Sequence, residues 1–425
     1  MATSQADWRS RILTEVDATA DELAALVGGL VRIPSLTGTD AEHDLLDYVA
    51  KRLFTDGLEV DHWRIDLATA YADVGFPGTE APRTEAWGLV GRLPGRGDGP
   101  SLMLNSHVDV VPPGDLRAWA RPDPFDGALR DGRVHGRGAC DMKGGLAATL
   151  IAVRALARAG APLRGDLLIA GVEGEEDGGL GTFATLARGW RADACVIPEP
   201  TDLALVPANA GALTFRLEVA GRAVHASRRT LGVSALDKLW PVLAALGALE
   251  AHRNADVDPL MSRWPVAYPI SVGVVRAGDW ASSVPDLLVA EGRMGVALGE
   301  RVEDARAALE SAVALACAPD PWLRGHPVGV QWWGGQFGPG RLPPGAPLLA
   351  AVERAHACVG GGPQEVYGVP YGLDLRLMVG AGVPTVHYGP GDGGLAHGPD
   401  ESVLLAEVLT CARALAALAL EHCGI

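Results

Sequence analysis

Segments with apolar residues at every third or fourth position alternate with short continuous apolar runs along the first half of the chain. Leu23, Leu26, Val27 and Leu30 recur at helical spacing, and Pro34 ends the helix that they predict. The alternation of strands and helices that follows is typical of a layered α/β domain with a mainly parallel sheet. The predicted elements are a helix over residues 42–55, strands over 87–92 and 101–105, a helix over 143–159, and strands over 166–172 and 194–197.

The pattern changes near Gly211. From there the chain predicts a strand over residues 212–219, a helix over 233–249, strands over 270–276 and 287–296, a helix over 302–317 and a strand over 328–333. This β-α-β-β-α-β order is that of a ferredoxin-like α+β domain. Elements of the first kind then return over residues 348–359, 383–388 and 402–420. We therefore predict one α/β domain made of residues 1–210 and 335–425, interrupted by an inserted α+β domain over residues 211–334.

Composition and charge exclude several classes of protein. Hydrophobic residues make up 48% of the 425 residues, which is too many for a disordered chain. The 6 cysteines show no paired short spacing, so a disulfide-stapled scaffold is excluded and we expect buried, reduced thiols. The 36 Lys and Arg against 52 Asp and Glu give a net charge of −16. This acidic balance argues against nucleic acid as a partner, because a basic surface is needed to displace counterions from phosphates.

The hydropathy of the chain gives no sign of a membrane segment. No apolar run approaches the roughly 18 residues that cross a bilayer. The first 22 residues carry acids early and lack the apolar core of a signal peptide. We therefore expect a soluble, cytoplasmic protein with no membrane partner.

The first candidate site residues follow the strand that is predicted over residues 101–105. Side chains two positions apart in a strand point to the same face, so His107 and Asp109 are expected to lie side by side. A carboxylate beside an imidazole fixes the tautomer of a histidine that ligates a metal. Taken alone, this pair is more typical of ordinary surface or core residues than of a metal site.

Further acids and a histidine follow other predicted strands or glycine-rich turns. Asp141 stands in a glycine-dense turn before an apolar helix, where it either caps the helix or faces a bound group. The carboxyl ends of strands in an open α/β sheet meet at one crevice, so these residues are expected to converge. Acids clustered in this way repel one another unless cations lie between them. The remaining members of this set are Glu175 and Glu176 in a run of acids, Glu199 between two prolines, and His397 in a late glycine-rich loop.

Six segments in a fixed order give the chain a family likeness. They are HVD, the pair WARPDPFDG and GRGACDMKGG, EGEEDGG, PEPT, GRAVHAS and AHGPDESV. In this order they resemble the dinuclear-zinc metallopeptidase family that includes acetylornithine deacetylase, succinyl-diaminopimelate desuccinylase, aminoacylase and carboxypeptidase G. The likeness covers nearly the whole chain, including the inserted domain, which in this family is a lid and dimerisation domain.

The resemblance implies a pair of zinc ions bridged by Asp141. His107 and Glu199 complete the site of one ion, and Glu176 and His397 complete the other. Imidazole and carboxylate ligands without a thiolate suit zinc, with cobalt and manganese as alternatives. Cys140 is therefore expected to be a packing residue.

The same resemblance implies roles around the metals. Glu175 is the general base, and Asp109 orients His107. His225, in the inserted domain, reaches the active site of the partner subunit in a homodimer and helps to hold the oxyanion. Arg293 matches an arginine that grips the substrate carboxylate. The family also has a cis peptide after the bridging acid, which is the Asp141–Met142 bond here.

These implications lead to a functional hypothesis with two alternatives. The main hypothesis is a metal-dependent amidohydrolase, similar to acetylornithine deacetylase, that removes an N-acyl group from an amino acid or a similar small molecule. The first alternative is a carboxypeptidase or dipeptidase with a dipeptide-like substrate. The second is a metal-binding protein without catalysis. Ser282, Ser283 and Ser234 stand where the family often has other residues, two of them asparagines, which leaves the substrate contacts open.

Overall fold

The computed structural model of the protein describes residues 4–425. Residues 1–3, at the start of the predicted first domain, lie outside the described residues. Contacts between Cα atoms divide the chain into two compact units. The first comprises residues 4–207, Arg341–Tyr367 and Leu377–Ile425, and the second comprises Ala208–Gly340 and Gly368–Arg376.

Helices and strands follow one another along the whole described chain. The α-helices are α1 (Gln5–Asp17), α2 (Ala20–Val31), α3 (Asp40–Thr55), α4 (Leu67–Ala72), α5 (Gly144–Ala159), α6 (Leu180–Ala187), α7 (Ala235–Arg253), α8 (Val302–Cys317), α9 (Pro321–Gly325), α10 (Pro347–Cys358), α11 (Leu375–Gly380) and α12 (Leu405–His422). The strands are β1 (Glu59–Arg64), β2 (Trp87–Leu93), β3 (Leu102–His107), β4 (Ala128–Arg130), β5 (Arg133–His135), β6 (Leu167–Val172), β7 (Ala194–Ile197), β8 (Leu205–Asn209), β9 (Gly211–Ala220), β10 (Ile270–Ala277), β11 (Leu287–Val296), β12 (Gly329–Phe337), β13 (Gly340–Arg341), β14 (Val366–Val369), β15 (Thr385–His387) and β16 (Ser402–Leu404).

The first unit is built on a large sheet. Its strand order is β1-β2-β6-β3-β7-β15-β8-β13, with β14 beside β8. The strands β6, β3, β7 and β15 run parallel, whereas β1 and β2 add to one edge antiparallel. Every residue of β3 and β6 is buried, as expected for strands covered on both faces. The α/β fold with a mainly parallel central sheet is therefore confirmed.

A smaller sheet of the first unit, β16-β5-β4, corrects one boundary. The sequence pattern predicts one element over residues 402–420, but Ser402–Leu404 form strand β16 and a separate helix begins at Leu405. Val403 of β16 lies opposite Val134 of β5, and both side chains are fully buried. This pairing with a distant segment overrides the local helical pattern. It also ties the end of the 389–401 loop to the segment that leads to Asp141.

The second unit has the predicted ferredoxin-like arrangement. Its antiparallel sheet has the order β10-β11-β9-β12, and helices α7 and α8 connect its strands as the β-α-β-β-α-β pattern requires. The core is apolar and includes Phe215, Leu217 and Leu309, all fully buried. Ala235 begins α7 after Ser234, whose side chain accepts a hydrogen bond from the Asp237 backbone N–H.

The structure can be compared with two expectations from the sequence, the burial of the cysteines and the lack of a membrane-spanning segment. Five of the cysteines are buried, but Cys358 is exposed, because it ends helix α10 at the surface. The expectation of uniformly buried thiols is therefore wrong at this position. Among the helices of residues 4–425, none combines the length and the apolar character that crossing a bilayer requires.

Candidate metal centre and active site

Parallel strands bring several of the predicted site residues to one edge of the central sheet. His107 is the last residue of β3, and Glu175 and Glu176 follow the end of β6 at Val172. Glu199 comes two residues after the end of β7. Because the carboxyl ends of parallel strands meet at one edge, side chains separated widely in the chain become neighbours there.

Asp141 reaches the same edge from a tight turn before helix α5. The Asp141–Met142 peptide is cis, as predicted. Gly145, in the first turn of α5, packs so closely on the backbone of Pro198 that a Cβ atom would overlap the Pro198 carbonyl oxygen. Gly389 approaches the same carbonyl from the loop that leads to His397. Glycine at these positions allows three backbone segments to crowd around Glu199.

The five predicted metal ligands form a contiguous set, called the central cluster below. Oδ1 of Asp141 lies 3.0 Å from Nε2 of His107, and Oδ2 of Asp141 lies 3.5 Å from Nε2 of His397. Oε2 of Glu199 lies 3.8 Å from Nε2 of His107, and Oε2 of Glu176 lies 3.0 Å from Nε2 of His397. The two oxygens of Asp141 thus face two different pairs, each made of one imidazole and one glutamate.

These separations suit divalent cations. Ligand atoms that bind one tetrahedral zinc ion at about 2.0–2.2 Å lie roughly 3.3–3.6 Å apart. The separations in the central cluster, 3.0 to 3.8 Å, are close to this range. Oε1 of Glu199 is buried and has no hydrogen-bond partner among residues 4–425. A buried carboxylate oxygen without a partner is costly, and a bound cation would satisfy it. The donor set of two imidazoles and three carboxylates therefore fits a pair of zinc ions.

Hydrogen bonds behind the cluster fix the tautomer of His107. Nδ1 of His107 lies 2.9 Å from the backbone carbonyl oxygen of Asp109, so Nδ1–H donates to that oxygen and Nε2 keeps its lone pair. The carboxylate of Asp109 is 3.7 Å from Nδ1 and accepts hydrogen bonds from the backbone N–H groups of Glu175 and Glu176. Asp109 thus contacts the imidazole mainly through its backbone, and its side chain holds the loop that carries two of the predicted site residues.

Glu401 and Arg137 support Asp141 and His397, a role that no sequence motif predicted for either residue. Oε1 of the buried Glu401 accepts hydrogen bonds from the backbone N–H groups of Cys140 (2.9 Å) and Asp141 (3.1 Å). Arg137 donates to Glu401 Oε2 at 2.5 Å and to the backbone oxygen of His397 at 3.0 Å. This buried ion pair joins the two loops that deliver Asp141 and His397. The segments GRGACD and AHGPDESV contain both residues, but only the pairing of β16 with β5 shows that they meet.

The charges of the central cluster shift the pKa values of its members. Burial raises the pKa of Glu199 to about 7, against the opposing effect of His107. Burial also raises the pKa of Glu176, together with the charge of Asp141. For His397, burial lowers the pKa, but hydrogen bonds to Asp141 and Glu176 outweigh it and raise the pKa to about 11. Negative charge is therefore in excess at this point, and the groups hold protons that divalent cations would replace.

A second buried network stabilises the acidic loop after β6. Arg83 donates to Asp177 at 2.9 Å and to Glu42 at 3.2 Å, and all three side chains are almost fully buried. Glu42 also accepts a hydrogen bond from the backbone N–H of Gly174. No local pattern marks these residues, because the contacts of Arg83 join positions 41 and 94 residues apart in the chain.

The other two predicted site residues lie in the second unit. His225 is exposed, and its Nδ1 accepts a hydrogen bond from the Ser227 backbone N–H at 3.2 Å. The neutral ring then carries its proton on Nε2 and can donate from that atom. Arg293 lies on β11, with its guanidinium carbon 5.7 Å from the centre of the Phe337 ring. Arg376 lies over the same ring at 4.2 Å.

The family follows from a sequence match over most of the chain. Residues 103–421 match the model of "Peptidase family M20/M25/M40". The chain belongs to this family. The M20/M25/M40 match confirms the predicted family and shows that the protein is a hydrolase acting on amide bonds. Its metal dependence agrees with the grouping of His107, Asp141 and Glu176, which each offer one ligand atom within 4.8 Å of the others.

Relatives of this M20/M25/M40 protein include proteins named as a deformylase and a desuccinylase. It is 28% identical to an N-formyl-4-amino-5-aminomethyl-2-methylpyrimidine deformylase of Bacillus subtilis, with 93% of each chain covered. It is 34% identical to a succinyl-diaminopimelate desuccinylase of Methylobacterium nodulans, over 70% of this chain and 77% of the relative. Among solved structures, the di-peptidase Dug1p of Saccharomyces cerevisiae has a TM-score of 0.78 at 15% identity, with 98% of both chains covered. The last comparison shows the fold alone.

Proposed function

We propose that this M20/M25/M40 protein removes an N-acyl group from the nitrogen of an amino acid or a similar small molecule. The observation that carries the proposal is Asp141, whose two oxygens lie 3.0 Å from Nε2 of His107 and 3.5 Å from Nε2 of His397. Each of these imidazoles has its own glutamate neighbour. Two relatives support acyl removal, because their names describe a deformylase and a desuccinylase. We take the substrate class from them and leave the acyl group to experiment.

The central cluster would hold two zinc ions in this proposal. Asp141 would bridge them, His107 and Glu199 would bind one ion, and Glu176 and His397 would bind the other. When bound, such a pair lowers the pKa of a water molecule and polarises the scissile carbonyl group. Cobalt or manganese are alternatives with similar ligand preferences.

Glu175 is the proposed general base. It lies three residues after the end of β6 and is buried, and its backbone N–H donates a hydrogen bond to Asp109 at 3.1 Å, which fixes its position next to Glu176. A buried carboxylate beside the cluster can take a proton from the attacking water and return it to the departing nitrogen. Positioned bases of this kind contribute about 10²–10⁴-fold to the rate.

His225 and Arg293 are the proposed substrate-binding residues of the second unit. The Nδ1 atom of His225 accepts from Ser227, so the proton on Nε2 is available to a developing oxyanion. Arg293 is exposed and would bind a substrate carboxylate. A homodimer, in which His225 completes the active site of the partner subunit, is part of this proposal. Strand β10 is an edge of its sheet and largely exposed, which leaves it available for pairing with a second copy.

A cytoplasmic location completes the proposal. The cysteines are free thiols in residues 4–425, and reduced thiols are typical of proteins in a reducing compartment. Fractionation of cells that express the full chain would place it in the cytosolic fraction.

The decisive experiment is a substrate panel with metal removal. The purified protein would be assayed with N-formyl, N-acetyl and N-succinyl amino acids and with dipeptides, before and after dialysis against a chelator. We expect turnover of at least one N-acyl compound, loss of turnover after dialysis, and recovery when zinc is added. Turnover of dipeptides alone would favour the carboxypeptidase or dipeptidase alternative. Full turnover by the metal-free protein would refute the metal chemistry.

A further inference from the structure

A second group of ligand-type side chains lies away from the central cluster, between helix α3 and strand β1. His43 and Asp47 are four residues apart in α3, so they lie one above the other on the same side of the helix. His62 is in β1, the edge strand of the large sheet. Each residue offers one ligand atom, and these atoms all lie within 4.8 Å of one another. We call this group the α3–β1 cluster.

The geometry of the α3–β1 cluster suits a metal better than it suits direct hydrogen bonds. Nδ1 of His62 is 3.5 Å from Oδ1 of Asp47, which is longer than the roughly 2.7–3.2 Å of a good hydrogen bond. The same distance matches the spacing of about 3.3–3.6 Å between two ligands of one tetrahedral zinc ion. An ion between the two atoms would pair both of them.

The imidazole rings are held in place and retain free nitrogen atoms. The His43 ring stacks on the indole of Trp87 with centroids 4.4 Å apart, and the His62 ring lies 5.3 Å from the same indole. Nδ1 of His43 is buried and has no hydrogen-bond partner within residues 4–425. In His62 the nitrogen that faces Asp47 is Nδ1, and the buried Nε2 has no partner among these residues, so a neutral ring with its proton on Nε2 offers Nδ1 as the ligand. Burial lowers the pKa of His62, which favours the neutral form that binds a metal.

The position of the cluster leaves it open to ions from solvent. The side chain of His62 is 18% exposed and that of Asp47 is 42% exposed. Lys51 Nζ lies 3.6 Å from Oδ2 of Asp47, so an ion would compete with a surface ammonium group that is 78% exposed and mobile enough to withdraw. Two imidazoles and one carboxylate leave a coordination position for water.

We propose that His43, Asp47 and His62 form a second transition-metal site, selective for zinc over magnesium and calcium. Imidazole nitrogens favour late first-row divalent ions, whereas magnesium and calcium require oxygen ligands. The ion links the outer face of α3 to the edge strand β1. Glu42, the neighbour of His43, binds the loop that carries Glu175, so the site stabilises an element that supports the central cluster.

The test measures the number of zinc ions bound per chain in wild type and in the variants Asp47→Asn and His62→Asn. All proteins are first dialysed against the same buffered zinc concentration. We expect wild type to hold one more zinc ion per chain than either variant. Asp44→Asn is the matched control, because Asp44 is an exposed acid on the same helix that is outside the cluster. This control should keep the wild-type zinc content. Equal zinc in wild type and both variants, or an equal loss in the control, would overturn the proposal.

A second measurement separates the two metal sites. In the His397→Ala variant, which lacks one ligand of the central cluster, added zinc should still raise Tm, whereas added magnesium should not. The double variant His397→Ala with Asp47→Asn should show a smaller zinc-dependent rise, because the ligands His107, Asp141 and Glu199 remain in both variants. Diffraction at the zinc absorption edge should show anomalous density between α3 and β1. An identical zinc response in the single and double variants, or anomalous density elsewhere only, would contradict the site.

Discussion

The central cluster and the α3–β1 cluster contain the same ligand types, but the protein supports them differently. In the central cluster the backbone N–H of Asp141 donates a hydrogen bond to Glu401, and the Asp109 carboxylate accepts hydrogen bonds from the backbone N–H groups of Glu175 and Glu176. The α3–β1 cluster depends on helical spacing and on stacking against one tryptophan. Buried hydrogen bonds fix ligand atoms more firmly than packing at a partly exposed surface.

This difference indicates that the central cluster is suited to catalysis, whereas the α3–β1 cluster is suited only to binding an ion. A reaction requires that ligands and base keep their positions while charge develops, which buried support provides. An ion that only links two elements requires ligands that can close around it. We therefore expect substitutions to act on turnover at the central cluster and on stability alone at the α3–β1 cluster.

The largest effect is expected for Glu175→Gln. The amide cannot accept the proton of the attacking water, so kcat should fall by about 10²–10⁴-fold while the zinc content stays that of wild type. Glu176→Gln is the matched control at the next position, and it should lower the zinc content as well as turnover. Wild-type kcat in Glu175→Gln, measured on the best N-acyl substrate, would remove Glu175 as the base.

Glu401→Gln should act on metal retention. Arg137 would lose its charged partner, and the backbone N–H groups of Cys140 and Asp141 would face a weaker acceptor. Loss of a group that orients metal ligands costs about 10–100-fold in metal affinity. Zinc dissociation constants measured with a chromophoric chelator give the comparison, with the half-exposed Glu421→Gln as control. Unchanged affinity would mean that this ion pair supports the fold only.

Glu173→Gln tests the region between the two clusters, because the Glu173 carboxylate accepts a hydrogen bond from the Trp87 backbone N–H. Burial raises the pKa of Glu173 to about 8 from an ordinary value of 4.5. The folded protein therefore binds this proton more tightly than the unfolded chain, and the contribution of Glu173 to stability is lost as pH rises from 4.5 to 8. Glutamine does not titrate and keeps an acceptor for the N–H.

The free energy of unfolding of Glu173→Gln should thus exceed that of wild type by a few kcal/mol above pH 8. Between the two pKa values the difference should grow by about 1.4 kcal/mol for each pH unit. The advantage should shrink as pH falls towards 4.5. Denaturant titrations at several pH values measure it, with Glu353→Gln, an exposed acid on helix α10, as a control. A difference that does not depend on pH would show that Glu173 is ionised in the folded protein.

The smallest effect is expected on turnover in Asp47→Asn and His62→Asn. Both residues lie outside the central cluster, so kcat/KM at saturating zinc should equal that of wild type. A fall in kcat/KM that parallels one caused by Glu401→Gln would show that the two clusters act as one site, and the contrast drawn between them would fail.

Most elements of the second unit could be predicted from the sequence because their patterns are local. Strand β11 and helix α8 have the predicted bounds, and helix α7 begins two residues after the predicted start. In the first unit, the long buried strands and α5 were predicted within one or two residues. Strands β1, β4, β5 and β16 were not, since each is stabilised by pairing with a distant segment instead of by its own apolar pattern.

Residue types, spacing along each strand and motif order were enough to nominate the central cluster and the family. Strand alternation and glycine spacing are properties of a few consecutive residues, so the chain itself carries them. Which side chains support the cluster was decided only by the tertiary structure. Arg137 and Glu401 form an ion pair although they are 264 positions apart in the sequence. His62 in strand β1 likewise lies next to Asp47 in helix α3. Such contacts depend on how separate elements pack, and no local pattern of apolar and polar residues encodes that packing.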